Sequence, residues 1–168
     1  MDQSGAKTLL IRLITVHQGT EKIDYMYPTI TSKIDGDFTG FQGETIIKLL
    51  NGQVWQQTEY FYQYHYGYCL SVQIYHDAVG YVMEVDGIGR RVRVSQVSVV
   101  TEGIIVSEFN GFGNDNLYEF RNGQIWKQVE SRHQHRHINK PRAMVIDGLN
   151  GRVLKVDTIE EVVRVRRQ

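Results

Sequence analysis

Alternate tyrosines follow the first tryptophan of this chain, and their spacing points to a binding surface. Residues two apart in a β-strand project from the same face. One face of the segment after the tryptophan therefore carries a row of aromatic side chains, namely Tyr60, Tyr62, Tyr64, Tyr66 and Tyr68. If this row is exposed, it offers a rigid contact surface about 27 Å long, at ~3.4 Å per residue, with a hydroxyl at the tip of each ring. The alternatives are that the rings pack between domains or only satisfy strand propensity.

Three histidines repeat this spacing further along the chain, where their imidazoles suggest a metal site. His133, His135 and His137 would share one face of a strand. Two of them can bind one zinc ion when a third ligand comes from another strand. The alternative is a solvated polar face in which Arg132 and Arg136 lie between the histidines. We expect no resident cofactor, with an adventitious divalent metal at this run as the exception.

A basic patch surrounds the histidine run, although the chain as a whole has no net charge. Arg132, Arg136, Lys140 and Arg142 lie within eleven residues. Tyrosines beside a basic patch are typical of proteins that bind single-stranded nucleic acid. The 19 basic residues are balanced by 19 acidic ones, however, and nucleic-acid binders usually have a basic surplus. A protein or small polar ligand is therefore favoured as partner, and nucleic acid is the alternative.

The sequence lacks the common catalytic motifs. It contains no GxSxG, phosphate-binding loop, HExxH or CxxC pattern. Its single cysteine, Cys69, is interpreted as a small buried hydrophobic residue rather than a nucleophile. Glu59 lies on the same strand face as Trp55, and Glu130 on the same face as Trp126. For both glutamates, a carboxylate hydrogen-bonded to the backbone is favoured over a catalytic site of paired carboxylates. We predict that the protein is not an enzyme, with a small metal-dependent enzyme as a further alternative.

The elements that position these residues occur twice in the chain. Residues 36–94 and 107–165 align without a gap at an offset of 71, with eighteen identities. The identities include both tryptophans and the Asn-Gly pairs Asn51-Gly52 and Asn122-Gly123. The chain is therefore predicted to contain an N-terminal extension (1–24) with a strand, a first repeat (25–95) and a second repeat (96–168).

Each repeat has the pattern of a small all-β unit. The Asn-Gly pairs between apolar runs predict hairpins with type I′ turns, in which 44–50 pairs with 53–62 and 115–121 with 124–133. Further strands are expected near 32–41, 70–76, 80–86 and 90–95, and no helix is expected. The predicted cores contain Phe38, Trp55, Ile74, Val82, Val85 and Val92, with Phe109, Trp126, Val145, Val153, Val156 and Val163 as their counterparts. The segment 91–106 contains only one glycine and no proline, so rigid coupling of the repeats is expected.

The first repeat resembles a bacterial family of small β-barrel domains of the Src-homology-3-like type. The similarity rests on the opening IDGDFTGF, the hairpin NGQVWQQ, the alternating tyrosines and the closing VDGIGRRVRV. The second repeat matches more loosely, since it lacks the tyrosines, and Phe41 and Phe112 stand where the family pattern has tryptophan. The resemblance implies a fold of two tandem Src-homology-3-like barrels and implies no catalytic residue.

These observations together predict a non-catalytic interaction or scaffolding module. Its expected binding surface is the face of the strand 56–68 that carries the tyrosines, with Arg132 and Arg136 as further candidates. No apolar run reaches the ~18 residues that span a bilayer, and no signal peptide is evident, so no membrane contact and a cytoplasmic location are expected.

Overall fold

A computed structural model of the chain describes residues 12–15 and 22–25 by their backbones, and residues 27–168 in full. The described chain is entirely β, without a helix, and all of its strand pairs are antiparallel. No helix that could span a membrane is found in this part of the chain. The all-β prediction is thus confirmed.

Seventeen strands make up the described structure. They are β1 (Arg12–Thr15), β2 (Lys22–Tyr25), β3 (Ile30–Lys33), β4 (Asp37–Gln42), β5 (Ile46–Lys48), β6 (Val54–Gln57), β7 (Tyr62–Tyr68), β8 (Ser71–His76), β9 (Tyr81–Val85), β10 (Val92–Ile104), β11 (Gly111–Phe112), β12 (Leu117–Glu119), β13 (Ile125–Gln128), β14 (Gln134–His135), β15 (Arg142–Gly148), β16 (Gly151–Val156) and β17 (Val162–Arg167). Within the predicted extension, β1 pairs with β2, while residues 1–11 and 16–21 lie outside the described residues.

The strand neighbours in the first repeat have counterparts in the second. The first set runs β3–β8–β9–β10–β6–β5, and the second runs β10–β15–β16–β17–β13–β12. An isolated bridge joins the two ends of each set, Ile34 with Leu49 and Ile105 with Phe120. These bridges lie 71 residues apart, the same offset as in the sequence.

Strand β10 crosses the predicted boundary between the repeats without interruption. Its first part pairs with β6 and β9, and its second part pairs with β15. A cluster of apolar residues contributed by both repeats lies beside it, with Ile46 and Val54 packing against Met144 and Ile146. A shared strand and a shared apolar cluster agree with the expected rigid coupling.

Two further apolar clusters form the cores, one in each repeat. Ten of the twelve predicted core residues belong to them, including Trp55 and Trp126. Val82 and Val153 lie outside these two clusters. Val82 is buried, at 8% exposure, and Val153 packs against the cluster shared by the repeats. Val85 faces the first core, and side chains alternate along a strand, so Val82 three residues earlier must face the opposite side of the sheet.

The turns at Asn51-Gly52 and Asn122-Gly123 differ from the predicted type I′. Only the glycines have positive φ, +86° at Gly52 and +82° at Gly123. The Gly52 amide donates to the Leu49 carbonyl at 2.9 Å, and the Leu49 amide donates to the Gln53 carbonyl at 2.8 Å. This is the three-residue hairpin with a glycine bulge. The Asn51 side chain accepts the Gln53 amide at 3.0 Å, which stabilises Asn51 without a left-handed conformation.

The long strand expected over 53–68 is also interrupted. It consists of β6 and β7, separated by residues 58–61. The predicted strand 32–41 is likewise divided into β3 and β4, with Gly36 at φ +98° between them. In the second repeat, only Gln134 and His135 of the histidine run form a strand.

Candidate functional site: a tyrosine ribbon beside an inter-repeat groove

Strand β7 presents four tyrosines to solvent. Tyr62, Tyr64, Tyr66 and Tyr68 are 60–72% exposed, whereas the intervening residues are half-buried. Phe38 and Phe41 of the paired strand β4 are buried in the first core. We call β4 and β7 the tyrosine ribbon. Its inner face is anchored to the core, and its outer face carries the tyrosine row, as the alternation predicted.

Gly40 allows the two strands of the ribbon to approach each other. Its φ is +109°, and a Cβ atom at this position would overlap the carbonyl oxygen of Gln63 on β7. Gly111 in the second repeat has the same relation to Gln134. A glycine is therefore required at the point where the register of the ribbon shifts.

Buried Gln57 fixes the loop that leads from β6 into the ribbon. Its side-chain oxygen accepts the Gly43 amide at 3.0 Å, and its side-chain nitrogen donates to the carbonyls of Glu59 and Phe61 at 2.9 and 2.8 Å. Gln128 bonds its own loop in the same way. This glutamine is thus structural in both repeats.

The carboxylates of Glu59 and Glu130 also accept hydrogen bonds from the backbone. The Glu59 carboxylate accepts the Arg93 amide at 2.9 Å, and the Glu130 carboxylate accepts the Arg164 amide at 3.0 Å. The interpretation of both residues as carboxylates bonded to backbone is confirmed. Cys69, in contrast, is half-buried rather than buried.

The face predicted to bind, which carries the tyrosines, is not exposed along the whole of residues 56–68. Gln56 is only 4% exposed, and its side-chain oxygen accepts the Leu149 amide of the second repeat at 2.9 Å. The predicted binding face over 56–68 is therefore wrong at its beginning. The exposed surface starts beyond β6 and includes Tyr60, which is 94% exposed.

The histidine run is exposed but is not gathered into a metal centre. His133, His135 and His137 all face solvent, and His137 Nδ1 lies 2.8 Å from the side-chain oxygen of Asn110. Within residues 27–168, no cluster of three or more His, Cys, Asp or Glu side chains has an arrangement that could hold a metal ion. The exposed segment that carries the three histidines also carries exposed Arg132 and Arg136.

A large groove lies between the two repeats, and four of the predicted site residues line it. Its volume is about 1140 Å³. Tyr60 and Tyr66 contribute to its wall from the first repeat, and Arg132 and Arg136 from the second. Tyr66 also donates a hydrogen bond to Asp37 at 3.0 Å, which raises the pKa of the tyrosine. The other tyrosines and the three histidines do not line the groove.

Lys155 lines the same groove and was missed by the sequence analysis. It is half-buried on β16 between its cross-strand partners Met144 and Val162. No hydrogen bond or ion pair to its ammonium is formed within the described part of the chain. Burial lowers its pKa, while Asp157 and Glu160 partly oppose this shift. A comparison of the repeats could have revealed the unusual position of Lys155. Its neighbours Met144 and Val162 are apolar, whereas the equivalent residues of the first repeat, Gln73 and Arg91, are polar.

Replacing Lys155 with methionine is expected to stabilise the protein. At neutral pH the change should add about 1 kcal/mol to the free energy of unfolding, because it removes a desolvated charge. The pKa of Lys155 is lowered in the folded state, so the gain in stability should be complete below that lowered pKa. The gain should disappear as the pH approaches about 10.4, the ordinary pKa of lysine in the unfolded chain. Thermal melts from pH 7 to 11, with exposed Lys33→Met as control, would measure this. A gain that persists unchanged at pH 11 would contradict the explanation.

The site thus combines an exposed tyrosine row with a groove whose walls carry aromatic, basic and acidic side chains. Among the described residues, the ammonium of Lys155 in this groove has no hydrogen-bonded or ion-paired partner. Comparison with protein-family models, with curated proteins and with solved structures finds no match for the sequence or the fold.

Proposed function

We propose that the protein is a non-catalytic interaction module that binds its ligand on the tyrosine ribbon. The observation that carries the proposal is the row of four tyrosines, each at least 60% exposed, on a strand whose other face is fixed to the core. Large aromatic side chains in a contiguous exposed row are unusual on a monomer surface. They lose little entropy on binding because each ring has few rotatable bonds.

The groove extends this surface and indicates which ligands suit it. Tyr60 and Tyr66 connect the row to the groove, where Arg132, Arg136 and Lys155 provide hydrogen-bond donors. The walls also carry carboxylates, including Glu44 and Glu160. A polypeptide segment or small polar ligand with both donors and acceptors therefore fits better than a polyanion. Retention of a desolvated Lys155 at a cost in stability supports a role in binding.

For the scaffold, we propose two tandem small barrels of the Src-homology-3-like type. The proposal is supported by the resemblance of the first repeat and by the matching strand order at an offset of 71 residues. Backbone bonds across the terminal bridges add support, since Asp35 donates to the Lys48 carbonyl at 2.8 Å and Val106 to the Glu119 carbonyl at 2.7 Å. Closure of each strand set into a ring removes exposed edges.

Single-stranded nucleic acid is the second candidate ligand, because tyrosines and arginines meet in one groove. Base stacking on tyrosine beside cationic side chains is the general mode of such binding. The groove contains more acidic than basic residues, which weakens this candidate.

The test compares a double substitution in the tyrosine row with a substitution of one equally exposed tyrosine outside it. Peptides are selected from a random displayed library on the wild-type protein, and their dissociation constants are measured for each variant. Tyr62→Ala/Tyr64→Ala should weaken binding at least about tenfold. Tyr27→Ala is the control, since Tyr27 is 69% exposed, as is Tyr64, but lies outside the ribbon.

Two results would contradict the proposal. One is that no peptide is enriched, and the other is that selected peptides bind the double variant as tightly as the wild type. A labelled single-stranded oligothymidylate is titrated in parallel at low and high salt. Tight, salt-dependent binding of this probe, lost in the double variant, would establish the nucleic-acid candidate instead.

A further inference from the structure

Two buried hydrophobic residues on the first repeat belong to none of the apolar clusters. Tyr75 is 2% exposed and Val82 is 8% exposed. They are cross-strand neighbours on β8 and β9, on the sheet face that points away from the first core. The Arg91 guanidinium lies 3.8 Å from the centre of the Tyr75 ring. The guanidinium covers part of the Tyr75 ring, and the three apolar clusters supply no cover for Tyr75 or Val82.

The equivalent face of the second repeat shows what such a cover looks like. Ile146 and Val153, 71 residues after Tyr75 and Val82, are also cross-strand neighbours. They pack in the shared cluster against Ile46 of β5 and Val54 of β6. The outer sheet face of the second repeat is thus covered by a hairpin that precedes it in the chain.

A hairpin also precedes the first repeat. Strands β1 and β2 pair with each other, with Ile14 opposite Ile23, and with no other strand in the described structure. An isolated two-stranded hairpin is only marginally stable in water, so this one needs a surface to pack on.

The chain connection places that surface within reach. Hairpin strand β2 ends at Tyr25, and the Thr29 amide already donates to the Ile74 carbonyl of β8 at 2.7 Å. Four residues span at most about 14 Å. We propose that the β1–β2 hairpin packs on the outer face of β8 and β9, over Tyr75 and Val82, as the β5–β6 hairpin packs over Ile146 and Val153.

Hydrogen exchange of the full chain tests this intramolecular interface. In the wild type, amides of β1 and β2 should be protected well beyond an open hairpin. Val82→Asp should reduce that protection at least tenfold while the cores of both repeats stay protected. Val79→Asp is the matched control, because Val79 lies three residues earlier and is 82% exposed. It should leave the exchange of the hairpin unchanged.

If Val82→Asp does not fold, Val82→Thr keeps the shape of the side chain and should still accelerate exchange in the hairpin severalfold. Unprotected hairpin amides in the wild type would overturn the proposal. So would unchanged protection in a folded Val82 variant. Equal loss of protection with Val79→Asp would overturn it as well, since the hairpin would then respond to overall stability rather than to this face.

Discussion

Replacing Trp126 or Trp55 with alanine is expected to destabilise the protein by about 3–5 kcal/mol. Both side chains are buried, with 0% and 1% exposure, at the centres of the two cores. Each indole nitrogen also donates to a glutamine two residues earlier, at 3.3 Å for Trp126 and 3.4 Å for Trp55. A loss of this size is a large part of the stability of a small domain.

Chemical denaturation measures this effect, and Tyr60→Ala is a suitable control. Tyr60 is also a large aromatic residue, but it is 94% exposed, so its loss should change stability by less than about 0.5 kcal/mol. Because β10 belongs to both strand sets, either tryptophan variant should destabilise the whole chain. A tryptophan variant that unfolds at the wild-type denaturant concentration would show that its indole is not a core residue.

Replacing Gly40 with alanine is the second change with a large expected effect, and it tests how the tyrosines are presented. The new Cβ would overlap the Gln63 carbonyl oxygen, so β4 and β7 would have to separate. Gly36→Ala is the control, since its φ of +98° is similar but its surroundings are open. The control should cost about 1–2 kcal/mol from the backbone conformation alone.

Gly40→Ala should cost about 1–3 kcal/mol more than this control because of the overlap. Its β7 amides should also exchange faster, whereas those of the Gly36 variant should not. The measurements are denaturant unfolding and hydrogen exchange of Tyr62–Tyr68. Equal destabilisation by the two substitutions would mean that the ribbon does not need the close approach at Gly40.

The sequence predicted much of the local structure, because the alternation of side chains along a strand and the residue types at a turn are local properties. Alternation placed the tyrosines on one face, and comparison of the repeats identified the tryptophans and the backbone-bonded glutamates. The Asn-Gly pairs located the hairpins, although the Asn51 side chain supports a different turn from the predicted one. The same alternation separates Val82 from Val85, so their placement on opposite faces of the sheet could also have been predicted.

What the sequence by itself determined is therefore the β character, the internal repeat and the face of β7 that carries the tyrosines. Tertiary structure decided which outer face meets the other repeat. Gln56 and Val54 are buried there, while the next tyrosines stay open. Alternation shows which side chains share a face, but the partner of that face depends on contacts such as Val54 with Ile146, which are distant in sequence. The groove with Lys155 arises only from such contacts, because neither repeat forms it alone.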